Sequence, residues 1–176
     1  MSAVGTVAII GAECVGKTEL AQRLAEGLPG LWIPEYLREF CDRVMRTPRP
    51  EEQARILAEQ RRREDEAIAR AEEQRLAWVL ADSAPLATAA YSELLFEDDS
   101  LHEEAIVHHA RYRATLLLLP DLPWVADGIQ RDGPAVREAF HGLLLQRLQR
   151  SGLPFALISG AGEARLQAAT RALRDL

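Results

Sequence analysis

The sequence predicts an α/β fold in which a mostly parallel five-stranded sheet lies between two layers of helices. Short, wholly apolar runs alternate with segments of helical periodicity, which is typical of parallel strands buried on both faces. A glycine-rich element directly follows the first apolar run. The strands are expected at about 4–10, 31–33, 77–81, 114–119 and 155–159, and the helices at about 17–28, 36–46, 50–74, 85–96, 100–112, 134–150 and 162–173.

The glycine-rich element covers residues 11–18 and fits the phosphate-binding pattern G-x-x-x-x-G-K-T. Its glycines let the backbone turn successive N–H groups toward a triphosphate, and the next helix directs its positive end at the same anion. Lys17 is expected to reach the β- and γ-phosphates, and the Thr18 hydroxyl to coordinate Mg²⁺. Lys17 is also the only lysine among 21 basic residues. The fold class is therefore predicted to be a P-loop NTPase, a three-layer α/β/α sandwich that binds ATP and Mg²⁺. The residues expected to contact the nucleotide are Gly11, Glu13, Cys14, Val15, Gly16, Lys17, Thr18 and Glu19.

Length and charge limit the possible classes of protein. A chain of 176 residues suits one core, so a single kinase-like domain over 1–176 is expected, with a lid or substrate segment at about 120–133. The net charge of -6 argues against non-specific binding to nucleic acid or to a membrane surface. We therefore expect a small, nucleoside-like substrate and neither of those partners. The oligomeric state stays open.

The sequence carries no signal-peptide pattern and no apolar segment near the roughly 20 residues that a membrane helix needs. Cys14 and Cys41 belong to no metal-binding pattern and are expected to be free thiols. These features together favour a cytoplasmic location.

Polar side chains follow the second, third and fourth predicted strands, where a parallel sheet gathers its ligands. Glu35 is expected to act as the base for an acceptor hydroxyl, and an exposed loop acid is the alternative. Asp82 is expected to hold the metal, directly or through water, and capping of the next helix is the alternative. The fourth strand leads into a turn-rich segment that carries Asp121, Asp127 and Arg131.

For three further residues the sequence allows two interpretations each. Arg38 follows Glu35 by three positions and either binds substrate or phosphate or forms a structural salt bridge. Trp124 either stacks on a flat ring of the substrate or pins its own loop. Tyr36 is similarly ambiguous between substrate contact and packing.

Arginines near the turn-rich segment are candidates for cations that close on the γ-phosphate and exclude water. One or two of Arg111, Arg113, Arg131 and Arg137 are expected to do so, and Arg131 is assigned to catalysis. The run Arg61-Arg62-Arg63 is interpreted as a solvated helix face with i,i+4 ion pairs rather than a phosphate site. The cluster His102, His108 and His109 is interpreted as surface or partly buried histidines rather than a metal site.

With these residues identified, the chain resembles the ribosylnicotinamide kinase domain at the C-terminus of NadR-type proteins and the related standalone P-loop ATPases. The resemblance covers nearly the whole length. It rests on the P-loop, on Pro-Glu-Tyr-Leu-Arg-Glu at 34–39, on Asp82 and on Leu-Pro-Asp-Leu-Pro-Trp-Val-Ala-Asp-Gly at 119–128. The P-loop alone is unspecific, but the two later elements at this spacing are fairly specific.

The resemblance implies ATP- and magnesium-dependent phosphorylation of the 5′-hydroxyl of nicotinamide riboside, which yields nicotinamide mononucleotide in NAD biosynthesis. Carried over by position, the resemblance implies that Lys17 and Thr18 bind the phosphates and the metal. It implies that Glu35 and Arg38 face the nucleoside and that Asp82 serves as metal ligand or base. Trp124 and Asp127 would line the acceptor pocket.

Two positions depart from the family pattern. Asp82 is followed by Ser83 and Ala84, where such domains tend to carry a second acid, and Gln130 replaces an arginine, with Arg131 one step later. The acceptor is therefore less certain than the kinase class. The alternatives are a kinase for another nucleoside or nucleotide, and a regulatory ATPase or GTPase module whose nucleotide state controls a partner.

Overall fold

The structure is a computed structural model that describes residues 4–125 and 133–174. Within these ranges the chain forms five strands, seven α-helices and one 3₁₀ turn. The strands are β1 (Gly5–Ile10), β2 (Gly30–Ile33), β3 (Trp78–Asp82), β4 (Ala114–Leu118) and β5 (Ala156–Ile158). The α-helices are α1 (Lys17–Gly27), α2 (Tyr36–Val44), α3 (Gln53–Glu73), α4 (Pro85–Phe96), α5 (His102–His109), α6 (Pro134–Ser151) and α7 (Gly162–Arg174), and the 3₁₀ turn is Pro50–Glu52.

The strands form one sheet in the order β2-β3-β1-β4-β5, and every pairing is parallel. The predicted fold class is confirmed, and the described part of the sheet is wholly rather than mostly parallel. β1 lies in the centre, between β3 and β4. Because the chain moves to one side of β1 for β2 and β3 and to the other for β4 and β5, the order reverses beside β1. Ligands of such sheets bind at the carboxyl ends of the strands at this point.

Alternate residues of β3 show how helices cover both faces. Val79 and Ala81 share a core cluster with Ala67 of α3, whereas Leu80 belongs to the cluster that contains Leu24 of α1. Since successive side chains of a strand point to opposite faces, α1 and α3 lie on opposite sides of the sheet. α7 contacts α1, and α4 contacts α3, α5 and α6, which completes the two helical layers.

The inward face of α3 differs from the expected one. Ala54 and Ala58 recur at helical spacing with the buried apolar residues of α3, but both are exposed. Three polar side chains are buried on the inward face instead, Gln53, Gln60 and Glu64, beside the apolar ones. Burial of Glu64, within a run of charges, is possible because it has hydrogen-bonding partners on other elements.

The histidines of α5 are fully buried, which corrects the expectation of surface or partly buried side chains. His102 contacts Glu93 at 2.6 Å, His108 contacts Glu64 at 2.8 Å and His109 contacts the Thr115 hydroxyl at 2.9 Å. Each histidine is accommodated because one ring nitrogen has a polar partner. In residues 4–125 and 133–174, no three His, Cys, Asp or Glu side chains are grouped as metal ligands would be.

The arginine run on α3 is a charged outer face, as expected. Arg62 pairs with Glu66 one turn away and with Glu59, and Arg63 pairs with Glu59. Within the described ranges, no helix is both long and apolar enough to cross a membrane.

Candidate active site

The loop between β1 and α1 has the backbone geometry that the glycine pattern predicts. Gly11 has a φ of +154°, and a Cβ there would lie 3.0 Å from the carbonyl oxygen of Leu118. Gly16, the residue before α1, has a φ of +77°. Cys14 is also left-handed, with a φ of +56°, although it is not glycine. Such conformations cost energy and are concentrated at ligand sites, so the loop is shaped before a ligand arrives.

Two side chains of the loop form contacts that anticipate a nucleotide. Lys17 donates from Nζ to the carbonyl oxygen of Ala12 at 2.8 Å, which folds the ammonium back over the loop. Thr18 donates from Oγ1 to Asp82 Oδ2 at 2.5 Å, which links the start of α1 to the end of β3. The register places Asp82 beside Ile9, so the sheet itself brings the two strand ends together.

Asp82 is 2% exposed, and its Oδ1 atom is buried with no hydrogen-bond partner in the described part of the chain. Burial first, and then the negative charge of Glu35, raises the pKa of Asp82 from 3.8 to about 6. A buried carboxylate oxygen without a partner is costly unless a cation completes it. Together with the Thr18 hydroxyl, it offers the oxygen ligands that Mg²⁺ prefers.

Arg165 of α7 ties the loop to the neighbouring strand ends, although it is 3% exposed. Its guanidinium donates to the carbonyl oxygens of Val15 in the loop and Gly160 after β5, the latter at 2.5 Å. It also donates to Leu119 at 3.4 Å and pairs with Asp121. Because a planar guanidinium can satisfy several acceptors at once, one side chain holds three segments in register.

A cavity of about 790 Å³ opens at this edge of the sheet. Its phosphate wall consists of Glu13–Glu19. A second group of lining side chains, named the acceptor wall after its expected role, consists of Glu35, Leu37, Arg38, Cys41, Thr47, Pro48, Gln53, Tyr91, Leu95 and Phe96. Leu122, Pro123 and Val125 border both walls. A cavity of this size is suited to a nucleotide fragment or a small molecule.

Glu35 and Arg38, the two residues expected to face a substrate, both line the cavity. Glu35 precedes α2 with extended backbone, and Arg38 lies one turn into the helix. Both are close enough to Asp82 for their charges to act on its pKa in opposite directions. The structure thus brings Glu35 and Lys17 to one cavity, and Asp82 contacts the Thr18 hydroxyl, which lines it.

Tyr36 and Trp124 lie elsewhere among the described residues. Tyr36 is 3% exposed and lines a separate small pocket, where its hydroxyl accepts from Arg43 at 3.2 Å and Arg63 lies over its ring. Trp124 donates from Nε1 to Glu13 of the loop at 3.4 Å and is absent from the described cavity lining. For Trp124 this geometry matches the alternative interpretation, in which it pins the loop.

The candidate lid arginines separate into three groups. Arg111 pairs with Asp65, and Arg113 lies over the ring of Trp78, both at the amino end of β4 and away from the phosphate wall. Arg111 and Arg113 are therefore not placed to be the one or two lid arginines expected among the four candidates. Arg137 is buried and donates to the Leu122 carbonyl at 2.8 Å, so it supports the border of the cavity. Arg131 and Asp127 lie outside the described residues.

Two polar residues of the site were not identified from the sequence. Gln53 opens a helix behind the proline-rich turn, and Arg165 is one of many arginines on helices. For Gln53 a signal did exist, since it shares helical spacing with Ile56, Leu57 and Gln60. For Arg165 the chain offered none, because three of its four partners, Val15, Leu119 and Asp121, are more than forty residues away in sequence. Neither Cys14 nor Cys41 forms a disulfide bond within the described residues.

The fold is similar to solved structures of NadR protein, one in complex with NR and one with NAD and AMP-PNP. Their TM-scores are 0.79 and 0.80 at 21% identity over 98% of this chain. The chain spans only 51% and 49% of those two chains. Deoxyadenosine kinase from M. mycoides with bound dCTP matches with a TM-score of 0.63 at 9% identity, over 97% of this chain and all 100% of that one. No curated protein matches the sequence.

These likenesses confirm, at the level of the fold, the resemblance to NadR-type domains that the motifs indicated. The family model of an AAA domain matches residues 6–165, from β1 through the Arg165 that holds the phosphate-binding loop. Since this match covers most of the sequence and includes the whole phosphate wall, the chain belongs to the AAA domain family.

Proposed function

We propose that this protein is an ATP- and magnesium-dependent kinase of a small-molecule alcohol, with nicotinamide riboside as the first candidate acceptor. The product would be nicotinamide mononucleotide, phosphorylated at the 5′-hydroxyl. The observation that carries the proposal is a single cavity with a phosphate-binding loop on one wall and a carboxylate, Glu35, on the other. Phosphoryl transfer needs this pairing of a gripped triphosphate and a group that orients the attacking hydroxyl.

Each residue has a role that follows from its position. The backbone N–H groups of the loop and the start of α1 would hold the phosphates, and Lys17 would leave the Ala12 carbonyl to reach them. Thr18 and Asp82 would hold Mg²⁺, which when bound neutralises charge on the phosphate oxygens. Glu35 would accept the proton of the acceptor hydroxyl, and Arg38 beside it would add positive charge.

Space beyond the phosphates favours a kinase over a regulatory module. The acceptor wall contributes apolar side chains from α2 and α4, which a hydrolytic switch does not require. Among the solved structures of similar fold, one is NadR protein in complex with NR and another is a deoxyadenosine kinase with bound dCTP. Their ligands are nucleosides or nucleoside phosphates. A nucleoside-like acceptor is consistent with a wall of this composition and size.

The direct test supplies the protein with Mg²⁺, ATP and one acceptor at a time and follows ADP release. The panel contains nicotinamide riboside, adenosine, deoxyadenosine, cytidine and shikimate, with Lys17→Ala protein as the control for contaminating kinases. We expect ADP release that depends on nicotinamide riboside, and phosphorylated product detected by mass spectrometry.

Two other results would change the assignment. Release that depends on a different nucleoside would keep the kinase class and replace the acceptor. Slow hydrolysis that no acceptor alters, and that ATP and GTP support alike, would instead favour the regulatory ATPase or GTPase module.

A further inference from the structure

Polar residues on the inward face of α3 differ in whether they have partners. Gln60 accepts from the Tyr36 N–H at 3.0 Å and donates to Glu64 at 3.3 Å. Glu64 in turn contacts His108 and the Tyr112 hydroxyl, at 2.8 and 2.7 Å. Two of the three buried polar side chains on this face are therefore fully engaged.

Gln53 is the exception on the same face. It is 3% exposed, two helical turns before Gln60, yet its carboxamide has no hydrogen-bond partner in residues 4–125 and 133–174. Its polar atoms are not among the fully buried ones that lack a partner, so they keep access to the cavity that Gln53 borders. When such a group borders a cavity, a ligand can supply the missing partner.

The surroundings of Gln53 restrict what that ligand can be. Gln53 borders the acceptor wall with Thr47 and Pro48, and Leu37, Tyr91 and Phe96 lie on the same wall. Tyr91 is itself fixed by stacking on Phe140, with ring centroids 3.8 Å apart. Aromatic and aliphatic side chains favour contact with a flat ring over contact with a polyol. A flat ring is weakly hydrated, so its burial removes fewer hydrogen bonds to water than burial of a polyol does.

A carboxamide presents an N–H donor and a carbonyl acceptor side by side. It pairs best with a planar group that carries an acceptor next to a donor, such as a ring carboxamide or the N6/N7 edge of adenine. A site built to hydrogen-bond such a group rejects analogues that lack it, because its own polar atoms are then left unpaired.

We propose that Gln53 is the specificity-determining residue of the acceptor wall and hydrogen-bonds the amide-like edge of a planar ring on a nucleoside acceptor. This inference rests on the proposed function, since it takes the acceptor wall as the acceptor site. It assigns recognition of the ring to α3, away from Glu35 and Arg38, which face the reacting end.

The test measures binding of nucleosides without ATP by titration calorimetry. The probes are nicotinamide riboside, adenosine and a pyridine riboside that lacks the carboxamide. The variants are Gln53→Met, which keeps an unbranched side chain without hydrogen-bonding groups, and Gln74→Met as a matched control at the exposed end of α3. We expect Gln53→Met to weaken the amide-bearing nucleoside that wild-type protein binds by at least tenfold, and the pyridine riboside by less than twofold.

A second measurement separates recognition from stability. Because Gln53 has no described partner to lose, Gln53→Met should unfold at the wild-type temperature or above it, as should Gln74→Met. A fall of several degrees in Gln53→Met alone, or equal weakening of all probes, would overturn the assignment.

The outcomes also distinguish this inference from the proposed function. If Gln53→Met selectively loses affinity for the amide-bearing nucleoside, but the wild-type protein transfers no phosphate to any acceptor, the recognition role is supported and the kinase function is rejected. Phosphate transfer to nicotinamide riboside with unchanged binding in Gln53→Met would support the kinase and reject the role of Gln53. A wild-type protein that binds none of the three nucleosides would reject both.

Discussion

The phosphate wall and the acceptor wall of the same cavity are built in opposite ways. The phosphate wall is one continuous stretch whose shape is fixed by positive φ angles at Gly11, Cys14 and Gly16 and by the grip of Arg165 on its backbone. The acceptor wall collects side chains from α2, α3, α4 and the segment before α3, and most of them are apolar. The wall expected to bind the phosphates is thus specified locally, whereas the wall expected to contact the acceptor is specified only by packing.

Loss of the P-loop lysine should lower turnover more than any other change described here, and by the same factor for every acceptor. We expect Lys17→Ala to lower kcat by about 10²–10³-fold, or about 2.7–4 kcal/mol, because a preorganised cation over the developing charge is removed. Steady-state kinetics with two acceptors measure this, and the ratio of their kcat/KM values should not change. A Lys17→Ala enzyme with wild-type turnover would contradict the whole assignment of the phosphate wall.

Loss of Arg165 should test whether the phosphate wall depends on a side chain outside it. Arg165→Met leaves carbonyl groups of three segments and the Asp121 carboxylate without their donor, so we expect a cost of about 3 kcal/mol and a fall in Tm of about 10 °C. KM for ATP should rise, while KM for the acceptor stays near wild type. Arg23→Met, which removes a half-exposed ion pair between α1 and α7, is the matched control and should change Tm much less.

Most of the fold follows from sequence because strong local signals agree. Wholly apolar runs, the glycine pattern and Pro85 and Pro134 at helix starts place the strands and helices within a few residues of their bounds. The nearness of Glu35 and Asp82 follows from the same kind of signal, since a parallel sheet brings the ends of its strands together. The phosphate wall is predictable because it combines a local motif with this rule.

The acceptor wall and the buried polar network could not be predicted from the same signals. Whether Glu64 in a run of charges is buried depends on His108 and Tyr112, more than forty residues away. The Tyr36 side chain has both apolar and polar parts and would suit a substrate site equally well, but its ring packs under Arg63 of α3. Side chains selected by tertiary packing leave no pattern in a single sequence.

The layer that supports the acceptor wall should respond to acid through His109. Burial lowers the pKa of His109 from 6.5 to about 4, so the folded state favours the neutral ring. Its contribution is complete above pH 6.5 and is lost as the pH falls from 6.5 to about 4, by about 2–3 kcal/mol at most. Urea unfolding at pH 7, 5.5 and 4 should show a smaller loss in His109→Gln than in wild type. Parallel pH profiles for the two proteins would contradict the role of His109.

The smallest effect is expected from two adjacent arginines of α3. Their replacement tests whether contacts between secondary-structure elements stabilise the helices behind the acceptor wall. Arg63 joins α3 to Glu39 of α2 and lies 4.4 Å from the ring centroid of Tyr36, whereas Arg62 pairs only within α3 among the described residues. Because solvent screens both sites, we expect Arg63→Met to cost about 0.5 kcal/mol and 1–2 °C in Tm. Arg62→Met should leave Tm unchanged, since its ion pairs connect one helix to itself. Equal melting temperatures for the two variants would show that the acceptor wall is held by its apolar packing and the Gln60 hydrogen bonds without help from the charged face behind it.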